Sequence, residues 1–105
     1  MEYDQDNNEN LFTGIIYDCY ENGNLASYYV VKDGIKNGEM IHFYPNGQVK
    51  KIQYIINNTL EGIQKEFYEN GILKLVEVRV LGRLVSFKKY DNQGNVLEEV
   101  KEPME

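Results

Sequence analysis

The sequence predicts an all-β protein: an elongated antiparallel β-meander of about four repeated hairpins, each unit roughly 24 residues long. Three observations predict it. Tyr20-Glu21-Asn22-Gly23, Tyr44-Pro45-Asn46-Gly47 and Tyr68-Glu69-Asn70-Gly71 recur with a spacing of 24. Two further frames, Gly14/Gly38/Gly62 and Gly34/Asn58/Gly82, keep the same spacing, and with Gly94 of a fourth turn copy the frames account for all nine glycines. Val, Ile, Tyr and Phe crowd the intervening segments, as a pleated surface prefers.

The elements follow in order. Gly14–Tyr20, Glu39–Tyr44 and Ile63–Tyr68 are expected as outgoing arms, and Leu25–Lys32, Val49–Ile56 and Leu73–Val80 as returning arms. Val85–Tyr90 and Val96–Val100 make a last, shorter hairpin. Its turn, Tyr90-Asp91-Asn92-Gln93-Gly94, arrives early and reads as a fourth copy with an inserted Gln93. Pro45 suits the first central position of a type I turn, with Asn46 second and Gly47 left-handed, so a three-residue loop is favoured. That loop places Met40, His42 and Tyr44 on one face with Ile52 and Tyr54, and Ile41 and Phe43 on the other with Val49 and Ile55. A two-residue loop would flip the returning arm. Asp33–Gly38 and Asn57–Gly62 are expected to link one hairpin to the next, and Asn58 stands where its neighbours use glycine because Asn tolerates a left-handed backbone.

Cys19, Phe43 and Phe67 hold one repeat position, and Leu25, Val49 and Leu73 another. Stacked from hairpin to hairpin, they are the expected core, with Cys19 a small buried member. Both sheet faces then carry apolar side chains, and a single sheet buries both only if it curls, is covered or binds something.

Composition bounds the function. The chain has 105 residues and a formal net charge of −6, with 42% apolar and 27% charged residues, which suits one globular domain. Residues 1–31 hold six acids and no Lys or Arg, whereas residues 32–105 hold eleven acids and eleven bases. The charge therefore belongs to an acidic lead, residues 1–13, and the first hairpin, ahead of a nearly neutral array that ends by residue 101, with a short tail at 102–105. The plain reading of the lead is a solvated, frayed end; the sharper one is an acidic surface aimed at a basic partner. The acidic balance disfavours nucleic acid and anionic membranes as partners. The first ten residues lack a basic and an apolar stretch of secretory type, and no apolar run approaches a membrane span, so a cytoplasmic location is expected.

The pattern Gly-x5-Tyr-x-Asn-Gly-x-Leu/Val with a glycine linker resembles the MORN-type repeat in its bacterial variant form. The forms of that repeat with a Trp fit less well, since this chain has none. The likeness runs from residue 14 to about residue 100, nearly the whole chain. Bacterial proteins of this class include YwqK-like antitoxins of toxin–antitoxin systems, and related small proteins resemble immunity proteins. The resemblance implies an elongated hairpin stack and an antitoxin or immunity role, exercised by stoichiometric binding to a cognate protein toxin. The alternative it implies is a non-catalytic scaffold for protein assembly or self-association. It supplies no catalytic residues.

The residues themselves offer little chemistry. His42, the one histidine, shares its repeat position with Asp18 and Glu66, a polar slot rather than a ligand site. One cysteine makes neither an internal disulfide nor a cysteine-cluster metal site. Ser27 and Ser86 lie in no nucleophile elbow, the glycines are used by turns, and neighbouring acids on a strand point to opposite faces. Lys50-Lys51 and Lys88-Lys89 are too few to read as a nucleic-acid patch in an acidic chain. No catalytic residue, cofactor or metal is therefore expected. The positive feature is nine tyrosines. Tyr17, Tyr28 and Tyr29 cluster in the first hairpin beside Asp18 and Glu21, and with Asp4, Asp6 and Glu9 of the lead they form the candidate partner-binding patch.

Overall fold

The computed structural model describes residues 11–101. Among them are nine strands and no helix: β1 Gly14–Cys19, β2 Leu25–Lys32, β3 Ile35–Phe43, β4 Val49–Ile56, β5 Thr59–Leu60, β6 Gly62–Phe67, β7 Leu73–Val80, β8 Arg83–Tyr90 and β9 Val96–Lys101. They form one antiparallel sheet in sequence order, with β5 paired to β4 beside β6. The sheet spans 54 × 45 Å and is 12 Å thick, a single layer. The all-β meander expected from the repeat is the observed fold.

The Tyr-x-Asn-Gly turns have the expected three-residue loop. The Gly47 amide donates to the Tyr44 carbonyl (2.9 Å) and the Tyr44 amide to the Gln48 carbonyl (2.8 Å). Asn46 Oδ1 accepts from the Gln48 amide (2.9 Å), so the side chain completes the turn. Gly47 sits at φ 95°, which any other side chain would resist.

Past the turn, however, the expected faces fail. The pairing shifts between Phe43↔Val49 and His42↔Lys51, a bulge that leaves Lys50 unpaired. Ile41 then faces Ile52 and Glu39 faces Tyr54, so Ile52 and Tyr54 share a face with Ile41 and Phe43, and Ile55 joins Met40 and His42. The loop is the three-residue kind, but the bulge restores the register of a two-residue one. The same shift follows the turns at Cys19, Phe67 and Tyr90.

The linkers are also tighter than expected. Asp33 and Gly34 (φ 52° and 82°), Asn57 and Asn58 (50° and 69°), and Leu81 and Gly82 (53° and 84°) are two-residue turns with both residues left-handed. The strands run directly into them, so β3 begins at Ile35 rather than Glu39. A side chain one repeat back caps each turn: Thr13 Oγ1, Asn37 Oδ1 and Glu61 Oε1 accept from the amides of Asp33, Asn57 and Leu81.

The fourth copy is a substitution rather than an insertion. The Asp91 amide donates to the Asn95 carbonyl and the Gly94 amide to the Asp91 carbonyl, the pattern of Tyr44 in its own turn. Asp91 thus occupies the tyrosine position and Tyr90 the phenylalanine one. Asp91 Oδ1 accepts from the amides of Gln93 and Asn95, holding its carboxyl below the ordinary range. The copy arrives one residue early because the β7–β8 ladder shifts by one residue, at Val85, where the β2–β3 ladder shifts by two.

The core lies elsewhere than the expected stack. The buried apolar side chains are Val31, Ile41 and Ile55, while Phe43 and Phe67 are only half-buried. Val31 and Ile55 are one repeat apart, and each stands opposite a frame glycine, Gly14 and Gly38, on the neighbouring strand. A Cβ at Gly38 would meet Val30 Cβ at 3.0 Å, so that glycine permits close strand approach. Cys19 is exposed, not buried, because it lies on the edge strand β1 with no preceding described hairpin to cover it.

Candidate partner-binding surface

Side-chain alternation sorts the strand residues into two unlike faces. Tyr28, Ile41 and Ile52 are successive cross-strand partners, and the same face carries Ile15, Tyr17, Phe43, Tyr54, Ile56, Ile63, Val76, Val78 and Val80, together with the lysines Lys65 and Lys88. Tyr17 is 67% exposed, Ile15 59%, Ile56 55% and Ile63 50%. The opposite face is mixed. It carries Asp18, Lys36, His42, Lys51, Gln53, Glu66, Glu77 and Arg79 beside the buried Val31 and Ile55.

Several charges of the mixed face are already engaged. Arg79 pairs with Glu77 at 3.2 Å and donates to the Gly82 carbonyl. Lys51 stands opposite Glu66, and the Lys36 ammonium lies 4.9 Å from the Tyr29 ring centre. Burial holds His42 below its ordinary pKa; a hydrogen bond to Gln53 opposes this, and Lys51, Lys50 and Lys36 add to it. A shallow depression of about 310 Å³ is lined by Lys51, Gln53, Gln64, Glu66, Glu77 and Arg79. Among the described residues no group of three or more His, Cys, Asp or Glu is placed to hold a metal ion.

The structure divides the candidate patch. Tyr17 and Tyr28 are direct cross-strand partners on the apolar face. Asp18 and Tyr29 project from the mixed face, and Glu21 sits in the first turn. Asp4, Asp6 and Glu9 lie outside the described residues. Two residues that the sequence reading passed over join Tyr28 on its face: Glu39 Oε2 accepts from the Tyr28 hydroxyl at 2.7 Å, and Tyr54 stands opposite Glu39. The carboxylate raises the Tyr28 phenol's pKa, chiefly through that hydrogen bond and with help from burial. The half-buried Tyr28 ring also meets Phe43, with centroids 6.4 Å apart.

The repeat tyrosines have a different use. Tyr20, Tyr44 and Tyr68 each donate a hydroxyl to a main-chain carbonyl of the next hairpin, at Phe43, Phe67 and Tyr90. The bulged Lys50 and Lys74 lie over the rings of Tyr44 and Tyr68. These three rings join hairpins, whereas Tyr17 and Tyr54 of the apolar face are exposed.

Residues 36–57 and 60–77 match the family model of the MORN repeat variant. The first segment covers β3 from Lys36, the Tyr44–Gly47 turn and β4; the second covers β6 and most of β7. No curated protein and no solved structure matches the chain. The MORN-variant match points to a repeat-based protein-binding or scaffold role.

Proposed function

We propose that this chain is a non-catalytic protein-binding module that serves a bacterial cell as an antitoxin or immunity protein. It neutralises a cognate toxin in the cytoplasm by stoichiometric binding that covers the toxin's active site. The observation that carries the reading is the apolar face: a single-layer sheet presents Ile15, Tyr17, Tyr54, Ile56 and Ile63 to solvent on one side. Exposed apolar surface of this extent marks an interaction site in a soluble protein. The acidic first third suits a basic toxin, since opposite charge speeds encounter. Neither nucleic acid nor an anionic membrane is proposed as a partner, because the net charge opposes both.

The test is co-expression with the product of the adjacent gene. Rescue of growth by the native chain, lost with Ile56→Glu and Ile63→Glu together, is the expected result. A neighbour that is not toxic, or rescue untouched by the double substitution, overturns the reading. The scaffold alternative is favoured by the same exposed face, which a second copy could cover. Light scattering distinguishes the two: a stable homo-oligomer that the double substitution dissolves supports self-association.

A further inference from the structure

We infer that Glu39, flanked by Tyr28 and Tyr54 on the apolar face, receives an arginine side chain of the bound partner. This inference rests on the protein-binding reading and assigns the chemistry of its central contact.

Glu39 is the one carboxylate that strands β1 to β7 place on this face. Tyr28 and Tyr54 flank it, and Ile41 follows two residues along β3. Oε2 accepts from the Tyr28 hydroxyl at 2.7 Å, and among the described residues Oε1 has no hydrogen-bond partner and no cation pairs with the group. By contrast, Glu77 is paired with Arg79, Glu98 with Lys89 and Glu99 with Lys101. A partner that covers the apolar face would strip water from Glu39, and a carboxylate desolvated without a cation is strongly unfavourable. A partner that docks here therefore brings a positive charge to it.

The neighbouring rings select the kind of cation. Cross-strand partners sit about 4.5–5.5 Å apart at Cβ, so the Tyr54 ring, opposite Glu39, borders the space above the carboxylate. Tyr28 borders it from β2, and Tyr17, opposite Tyr28, extends the aromatic row to the sheet edge. A flat guanidinium can lie on a tyrosine ring and still present two parallel N–H groups to the carboxylate, a bidentate fit that a single ammonium lacks. Phe43 backs the Tyr28 ring, so one wall of the site is already positioned.

The test uses the full chain labelled with ¹³C at the tyrosine ζ carbon. It is titrated with acetyl-Leu-Arg-Leu-amide, and with the same peptide carrying citrulline or lysine instead of arginine. The expected result is a saturable shift of the Tyr28 and Tyr54 signals with the arginine peptide, with the citrulline peptide at least about tenfold weaker and lysine in between. Glu39→Gln should remove the preference for arginine over citrulline while the other tyrosine signals hold their native positions. Tyr54→Leu, which keeps the carboxylate, should weaken the arginine peptide and bring lysine level with it. No saturable shift, equal response to arginine and citrulline, or a response unchanged by Glu39→Gln overturns the inference. Toxin rescue that persists in Glu39→Gln discards the arginine site alone; loss of rescue in Ile56→Glu/Ile63→Glu bears on the binding face as a whole.

Discussion

The Tyr44 hydroxyl donates a 2.7 Å hydrogen bond to the carbonyl of Phe67, one hairpin further along the chain. Tyr20 and Tyr68 repeat the contact to their own next hairpins. With three buried apolar side chains among the described residues, the sheet has little interior to hold its hairpins together, so such bonds matter more than in a packed domain. Tyr44→Phe removes the bond and keeps the ring. It should cost about 0.5–1.5 kcal/mol, read as a lower urea midpoint with an unchanged slope.

Gln64 replaces a missing stretch of β-ladder. β4 pairs β5 at Ile55 and Ile56 and β6 at Lys51 and Ile52, and Tyr54 lies in the gap. Gln64, 5% exposed, accepts from the Tyr54 amide at 2.7 Å and donates to the carbonyls of Glu61 (3.0 Å) and Gly62 (3.2 Å). Gln64→Leu leaves that amide without a partner, at a cost of about 1–3 kcal/mol. Hydrogen exchange at the Tyr54 amide should accelerate well beyond that of the Ile41 amide.

Two backbone positions make opposite predictions. At Gly47, φ is 95° and an added Cβ would meet nothing within 4 Å, so the cost of substitution is conformational alone. Gly47→Val should lose at least about 1–2 kcal/mol by thermal or chemical unfolding.

Leu81 adopts φ 53° where its repeat equivalents are Asp33 and Asn57, and it is 83% exposed. It gains no burial to offset the strain of a left-handed leucine. Leu81→Asn should raise stability by about 1 kcal/mol, seen as a higher urea midpoint. Asn is chosen over Asp because Glu61 Oε1 already accepts from the residue 81 amide and would repel a second carboxylate.

Burial lowers the His42 pKa in the folded chain below its ordinary 6.5. Between the two values the unfolded chain binds more protons, so stability falls as pH drops through about 6.5 and is unaffected by this group above it. His42→Gln should flatten the stability profile between about pH 7 and pH 5 relative to the native chain. A histidine titration by NMR that shows an ordinary or raised value would contradict this.

The repeat unit and its direction are legible in the order of residues alone. Glycine and asparagine at a spacing of 24 mark where the backbone must turn left-handed, a property of single residues that needs no partner. Residues of β-branched and aromatic type between those marks then leave hairpins in series as the consistent arrangement. Two things escaped it because they depend on pairs. The bulge after each Tyr-x-Asn-Gly turn reverses which side chains share a face, and only the ladder register reveals it. For that reason Tyr17 shares a face with Tyr28 and Asp18 with Tyr29, where an unbulged loop would exchange the partners. Likewise Glu39 looked like an ordinary strand-edge acid, and nothing local connects it with Tyr28, eleven positions away, or with Tyr54. A polar residue at 64, where Ile16 and Met40 stand in the preceding repeats, was the one readable sign of the gap that Gln64 fills. Turn positions are written in single residues, whereas faces and sites belong to cross-strand neighbours, and those are decided only when the sheet assembles.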